Sequence, residues 1–504
     1  MPGKFTCTDC NMPISNRTRC IDRARSLVGA IALATMTTLA AAPVPGDGQP
    51  VAGFGAFGFV LHDSSPVVEE PNIERGLGIR RRADGQLAVL SQHRFEDTSS
   101  DNHPLLVVFD DQGQFQGQTL FAQDIYNEPA LVMSQLDASG RVLVNAAALP
   151  MQTWPLQRIE PVAIPGAPYS SQLAAPVVSS GLGDFARASV TTRDGHWVSC
   201  GGHFAPLGMN LTIMPICRAF DSNGGLLTPP FGNGSPFVMS GAFYLDNNAV
   251  NDLLSGEVLA VGEDREGRLL LGGRMNFAGT TAPLLFSARL LADGTLDSSY
   301  CSDTTCADAE RTAPGWRADL VADVAAIQEG ALIERPDGQI AHVVDVELID
   351  NARSASALSL FQADGVRTYA GVIDLGAWTR AGAQLGVQVD NKLVIPLSIR
   401  PGDGTQLGAL MRVPADPALD GLFDPDFSYA PAGLTALPGV SLLRPQLPGG
   451  LAARSIECNA ALVEPGHITC AGLVRVADAP VNIDLLLARV DADTQVRVFG
   501  DDFE

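Results

Sequence analysis

The chain is short of several things at once, and each shortage excludes a class of protein. After residue 42 a single lysine is left, Lys392, and no basic run exists that could track a phosphate backbone. Nucleic acid and anionic membrane surfaces are therefore poor partners. No apolar run beyond residue 42 approaches the ~20 residues a membrane-crossing helix needs. Long amphipathic helical patterns are missing, while 51 Gly and 34 Pro are spread through 504 residues. Signatures of catalysis are scarce too. There is no pair of His one helix turn apart for a zinc protease, no Gly-x-Ser-x-Gly elbow, and the seven His are scattered.

What is present begins with an address. Lys4, Arg17, Arg19, Arg23 and Arg25 precede an apolar run at residues 27–42 that ends in small residues, then Pro43 and Gly46. That order reads as a signal peptide over 1–42, with Met12 as an alternative start. A retained anchor is the lesser reading, because the run is short. Without residues 1–42 the chain keeps 28 basic against 54 acidic residues, a net charge of −26. Such acidity suits solubility outside the cell, with cation binding as the second reading.

Six cysteines follow residue 42, in three neighbouring pairs. Cys200 and Cys217 are equidistant from the loop centre at Gly208 and Met209, so a hairpin there would face them. Cys458 and Cys470 flank Glu464-Pro465-Gly466 with an offset that needs a bulge, and Cys301 and Cys306 close a tiny loop. Local pairing, an even count and an export signal predict three disulfides. Free thiols or a metal are the alternatives, but the spacings match no Cys-x-x-Cys site.

The strongest positive signal is a strand-turn-strand phrase that recurs. Arg193-Asp194-Gly195-His196-Trp197-Val198-Ser199-Cys200-Gly201-Gly202 and Arg265-Glu266-Gly267-Arg268-Leu269-Leu270-Leu271-Gly272-Gly273 are close copies, with weaker ones centred on Gly85, Gly140, Gly338, Asn391 and Gly466. The seven turns are spaced by 55, 55, 72, 71, 53 and 75 residues. Runs of five to eight apolar or alternating residues around each turn read as strands. The fullest units predict strands at 185–192, 196–202, 211–220 and 226–231; at 257–263, 268–274, 284–291 and 295–300; and at 331–335, 339–346, 355–361 and 366–373. Four-stranded units at this period predict an all-β protein, a β-propeller of about seven four-stranded blades, with a β-solenoid as rival. Residues 43–74 form an N-terminal lead, in which residues 51–62 could lend a closing strand to the last blade.

The phrase Asp/Glu-Gly-x-hydrophobic-x-hydrophobic-x-Gly-Gly, followed by Ala288-Arg289-Leu290-Leu291-Ala292-Asp293-Gly294-Thr295-Leu296-Asp297-Ser298-Ser299-Tyr300, resembles the delta-60 repeat of secreted bacterial proteins. The tail is echoed at Leu227-Thr228-Pro229-Pro230-Phe231-Gly232 and at Phe423-Asp424-Pro425-Asp426-Phe427. The resemblance spans most of residues 75–500 and implies a propeller-like fold in an exported protein, with no shared activity or site. The ending at 496–504, with Val498-Phe499-Gly500-Asp501-Asp502-Phe503-Glu504, is similar to the Phe-x-Asp-Gly-Phe-Glu tail of exported Gram-negative proteins, except that Asp502 replaces Gly.

No residue set predicts catalysis, a cofactor or a metal. His196 and His203 should point to opposite strand faces, His342 reads as a hydrogen-bonded core histidine, and His62-Asp63 or His93 near Glu96 make thin material for a base and its orienter. Calcium is conceivable at Asp221-Ser222-Asn223-Gly224, Asp246-Asn247-Asn248 or Asp424-Pro425-Asp426, but Asp and Asn also serve turns without any ion. Trp197 reads as core, whereas Trp154, Trp316 and Trp378 lie in or beside connections where an exposed carbohydrate platform has room. The chain therefore reads as an exported, monomeric binding or surface-interaction scaffold for an unknown extracellular ligand, with no membrane span after residue 42. The rivals are a propeller hydrolase or lyase acting on glycans or lactones and a structural envelope component. Inward-facing His, Asp or Arg from three or more blades would favour the enzyme, and a channel of Gly, Ala and Val would count against it.

Overall fold

The computed structural model of the chain describes residues 47–63, 72–95, 102–120, 131–136, 142–146, 153–154, 156–159, 171–173, 177–178, 184–207, 210–221, 227, 230–232, 242–245, 252–302, 304–349, 353–402, 404–445, 447, 453–476 and 483–492. The signal segment, the C-terminal tail, the Gly140 turn, the 208–209 loop centre, residues 222–224 and Asp246-Asn247-Asn248 lie outside these.

Among the described residues the regular structure is almost entirely antiparallel strand, in seven successive modules, the first and last joined into one eight-stranded sheet by a single parallel bridge between Ile73 and Ile483, with a separate two-stranded sheet pairing Thr153–Trp154 and Val177–Val178. Module I is Asn72–Arg81, Leu87–Phe95, Asn102–Phe109 and Phe115–Leu120, and module II is Leu131–Leu136, Val142–Ala146, Leu156–Ile159 and Ser171–Leu173. Module III is Asp184–Thr191, Trp197–Leu207, Asn210–Phe220 and Ala242–Tyr244; module IV is Leu253–Glu263, Leu269–Phe277, Leu284–Leu290 and Trp316–Asp319, with Arg311–Ala313 outside it. Module V is Val324–Glu334, Ile340–Leu348, Ser354–Phe361 and Arg367–Ile373. Module VI has an interrupted first strand, Trp378–Ala381 and Gly386–Val387, then Leu393–Arg400, Leu407–Val413 and Val440–Leu443. Module VII is Ala453–Glu464, His467–Val476 and Ile483–Asp491, and its fourth strand comes from the other end of the chain: Phe59–His62 pairs with Ile483–Asp491, Phe59 opposite Ala488.

The turn residues of the recurring phrase are in place. Gly85, Gly195, Gly267, Gly338, Asn391 and Gly466 all adopt φ between 67° and 86°, the left-handed region where glycine is free and Asn tolerated. The acids beside them cap their own turns. Asp264 accepts from Arg268 N at 2.9 Å, and Asp337 from Gln339 N at 3.0 Å. This local bonding accounts for many acidic turn positions without any ligand.

The Gly-Gly pair has a different cause. The first strand of modules III, IV and VII is bulged, at Ala186/Ala188, Val258/Ala260 and Cys458/Ala460. Opposite the bulge, a Cβ on Gly201, Gly273 or Gly472 would lie 2.0, 2.1 or 1.9 Å from the carbonyl oxygen of Phe185, Glu257 or Glu457. Only glycine allows the two backbones to approach that closely, and the bulge in turn bends the first strand and re-aims its side chains.

Apolar packing lies mainly between modules. One buried cluster joins III to IV, another IV to V, a third V to VI, a fourth VI to VII, and the last joins Ile79, Val89 and Leu105 of module I to Ala471 and Leu485 of module VII. The first strand of module II neighbours those of I and III. Arginines at the ends of third strands add polar ties. Arg289 bonds Asp297 at 2.8 Å, lies 5.1 Å from the Tyr300 ring centre and donates to the carbonyl of Ala363 in the outer turn of module V. Arg412 repeats this with Asp424 at 2.8 Å and Phe427 at 4.6 Å, and reaches Asp47 at 2.6 Å. Arg489 lies 4.2 Å from the Phe54 ring centre and donates to Asp111 O of module I at 2.7 Å. A buried guanidinium needs this many acceptors to offset its lost hydration.

Two expected strands are corrected by the same contacts. Residues 295–300 do not form the fourth strand of module IV, because Asp297 and Tyr300 turn inward to hold Arg289; only Leu296 bridges to Leu290, and Trp316–Asp319 takes the fourth place. In module III the fourth strand is Ala242–Tyr244 rather than 226–231, where Phe231 is buried instead.

All three disulfides form as expected. Cys200 faces Cys217 directly across the hairpin, and the Cys458–Cys470 bridge sits at the bulge its offset required.

The glycine account has a direct test. Gly273→Ala should lower stability by roughly 2–3 kcal/mol, the upper range for overpacking, since backbone is what it meets. Gly85→Ala meets nothing within 4 Å and should cost only about 1–2 kcal/mol for its left-handed backbone. Urea unfolding of both variants checks the order, and a larger loss for Gly85→Ala would contradict it.

Candidate functional site

First strands of four modules, together with residues 383–385 of a fifth, surround one cavity of about 390 Å³. Its wall is built of small residues such as Gly78, Ala188, Val190, Ala260, Gly330 and Ala331. The insertion between the two halves of module VI's first strand partly fills it. There the Gln384 side-chain amide both accepts from Ile79 N (3.0 Å) and donates to Ile79 O (2.8 Å), as a neighbouring strand would.

All these first strands run the same way, from the bulge to the Asp-Gly turn, so the cavity has a bulge end and a turn end. At the turn end module III holds IV and module IV holds V. Arg193 N donates to Glu263 at 2.9 Å, Arg265 N to Glu334 at 2.7 Å, and the Arg265 side chain pairs with Glu334 at 3.1 Å. Burial raises the Glu263 carboxyl above its ordinary pKa despite the Arg193 amide. Between modules VII and I the polarity reverses: Arg81 is the residue that pairs with Glu464, its Nη2 at 2.7 Å.

The bulge end is where the charge lies. Arg187 reaches Glu257 at 3.4 Å, which also holds Arg274 at 2.5 Å. Arg75 contacts Glu457 at 3.1 Å and Asn459 at 3.3 Å, and Gln406 donates to Glu457 at 3.1 Å. Arg380 pairs with Glu329 and stands 3.6 Å from Asp345. Asp345 is almost fully buried; one oxygen accepts from Ser356 Oγ (2.9 Å) and Ala381 N (2.7 Å), while the other has no hydrogen-bond partner. Burial pushes its carboxyl up to about 7, against the lowering effect of those donors and of Arg380. Trp378, two residues before Arg380, is half-buried with the Arg400 guanidinium 4.9 Å from its ring centre.

The histidines single out no such place. His196 pairs with Asp194 of its own turn at 2.9 Å and lines a separate cleft of about 290 Å³ with Arg193 and Arg265. His203 is buried against Tyr244, so the two do not meet. His62 bonds Gln118 and stacks on Phe115, and His93 is set against Glu74 at 3.4 Å, not Glu96, which lies outside the described residues. Of the calcium candidates, Asp424 is engaged by Arg412 and Lys392. Among the described residues no group of three or more His, Cys, Asp or Glu is placed to hold a metal ion. Trp197 and Trp316 are buried, and the Trp154 side chain lies outside the described residues.

Sequence reasoning missed the bulge-end set entirely. A signal existed: Arg75, Arg187, Glu257, Glu329, Arg380 and Glu457 each lie 8–11 residues before the turn residue of their module.

Neither a protein-family model nor a curated protein matches the sequence. Among solved structures the chain is similar to the polysaccharide lyase Uly1 (10% identity over 86% of this chain and 92% of that one, TM-score 0.44). It is also similar to the NanB sialidase of Streptococcus pneumoniae (11%, 87% and 71%, 0.38) and to a chain of the Drosophila Plexin A–Semaphorin 1b complex (11%, 88% and 88%, 0.39). Likeness at this level assigns neither substrate nor partner. Among the described residues no helix is long and apolar enough to cross a membrane.

His342 corrects one expectation. It is buried as expected but not hydrogen-bonded: neither ring nitrogen has a partner, and Nε2 lies 2.4 Å from where a Cβ on Gly272 would stand. Burial pushes its pKa down to about 3. Between pH 6.5 and 3 the unfolded chain binds a proton that the folded chain does not. Stability is therefore complete above pH 6.5 and falls toward pH 3, by up to roughly 5 kcal/mol. His342→Leu should remove that component. Comparing urea midpoints of the two proteins at pH 8 and pH 5 checks this; a difference between them that is the same at both pH values would contradict it.

Proposed function

We propose that the seven modules are the blades of a closed β-propeller and that the protein is an exported binding scaffold whose ligand enters the central cavity. The closure is supported by the sequence of buried clusters, which runs from module III through VII and back to I, and by the N-terminal strand completing module VII. The delta-60 resemblance agrees with that architecture and with export, as do the three disulfides. The ligand is extracellular and the protein acts as a monomer.

The observation on which the binding reading rests is the cavity itself. A wall of small residues contributed by five modules, with polar groups gathered at its ends, is the form of a preformed small-ligand site, and its volume falls in the usual range of about 300–1,000 Å³. A purely structural envelope component has no need of one. Glu263 and Glu334 reach the cavity at its turn end, where Arg193 and Arg265 hold them, and Gly, Ala and Val make up much of the wall between the ends.

One feature favours the rival reading of a glycan hydrolase or lyase. At the bulge end Arg380 stands 3.6 Å from Asp345, whose pKa near 7 suits proton transfer at neutral pH.

Filling the cavity tests the binding reading. Ser189→Trp should abolish capture of ligands on a glycan and protein array with all three disulfides still formed. Capture that persists with the cavity filled would contradict it, and turnover of a captured glycan would favour the enzyme.

A further inference from the structure

The bulge-end mouth presents its charges in an order that selects the sign of a ligand. Arg75, Arg187, Arg274 and Arg380 come from modules I, III, IV and VI, and their side chains are 27–44% exposed. The acids that hold them lie deeper: Glu257 is 2% exposed, Asp345 5% and Glu457 20%; Glu329, at 59%, is the exception. Solvent at this mouth therefore meets guanidinium groups supported from beneath by carboxylates. The chain as a whole is strongly acidic, so this is a local inversion of its surface.

Buried carboxylates hold the arginines at fixed places before any ligand arrives, and less side-chain freedom is then lost on binding. A guanidinium fork matches a carboxylate in a bidentate way that a lysine cannot. Arg75 of module I pairs with Glu457, whose charge also acts on Arg380 of module VI, so two guanidinium groups from different modules flank one carboxylate, which fits charges repeated along a chain better than a single charge. Trp378, half-buried beside Arg380 and linked to the same network through Arg400, Gln406 and Glu457, adds an amphipathic ring of the kind that sugars pack against.

We infer that the bulge-end mouth binds an acidic polysaccharide, its uronate carboxylates held by Arg75 and Arg380 and a neighbouring sugar ring lying against Trp378. This rests on the reading of the central cavity as the binding region and goes beyond it by naming the ligand class.

Calorimetric titration with hexagalacturonate, maltohexaose and hexaglutamate tests it. Hexagalacturonate should bind, with affinity at least tenfold above either of the others and falling severalfold between 50 and 300 mM NaCl. Arg75→Gln and Arg380→Gln should each weaken it about tenfold or more, while Arg265→Gln at the turn end leaves it unchanged. Because loss of binding can follow from misfolding, Glu329→Gln provides the converse: releasing Arg380 from its exposed partner should tighten hexagalacturonate binding severalfold. Equal binding of maltohexaose would overturn the acidic-ligand inference and leave the cavity reading standing. Preference for hexaglutamate would overturn it in favour of an acidic peptide, and binding of none of the three would overturn it outright. The cavity reading fails separately, if array capture survives Ser189→Trp.

Discussion

A guanidinium buried at the end of a third strand is the interaction on which the assembly of modules depends. Arg289, Arg412 and Arg489 each lie 2–3% exposed or less, and none could stay charged there alone. Each recruits what it needs from three directions: a carboxylate or hydroxyl close by, an aromatic face, and a group on the following module or on the N-terminal lead. The demand for acceptors turns a set of separate hairpin sheets into an ordered series. It also explains why the tail after the third strand folds inward at Asp297 and Tyr300 when its sequence could have continued as a strand.

The two chain ends are joined by the same chemistry. Arg412 of module VI finds Asp47, and Arg489 of module VII finds Phe54, both from the N-terminal lead. The lead then supplies Phe59–His62 as the edge of module VII, a strand of four residues that covers the longer Ile483–Asp491. At the turn end the ion pair of this junction is inverted relative to that between modules IV and V, with Arg81 answering Glu464. The inversion makes the last interface chemically unlike those between III, IV and V, which helps the right partners meet at the end of folding.

Much of the fold was legible because strands, turns and cysteine spacing are local. The Asp-Gly turns, the offset at Cys458 and Cys470 and the strand character of residues 51–62 all depend on neighbours in sequence. The fourth strands were misjudged where a long-range demand, the capping of Arg289, overrode a strand-like pattern. His342 was placed correctly in the core, but its want of a partner could not be read from an apolar strand, since partners come from other modules. The bulge-end arginines were hidden for a related reason. They stand out only when first strands are superposed, and a bulge shifts the parity by which a strand residue is assigned to a face.

Hydrogen exchange at the N-terminal strand is the most direct measure of whether the series closes into a ring. Closure predicts that the amides of Val60 and His62, which face Leu487 and Leu485 across the ladder, exchange slowly like those of Leu485–Ala488, and that Arg489→Met speeds both sets together. Exchange of residues 59–62 at free-peptide rates in the native protein, with residues 485–488 still protected, would contradict it.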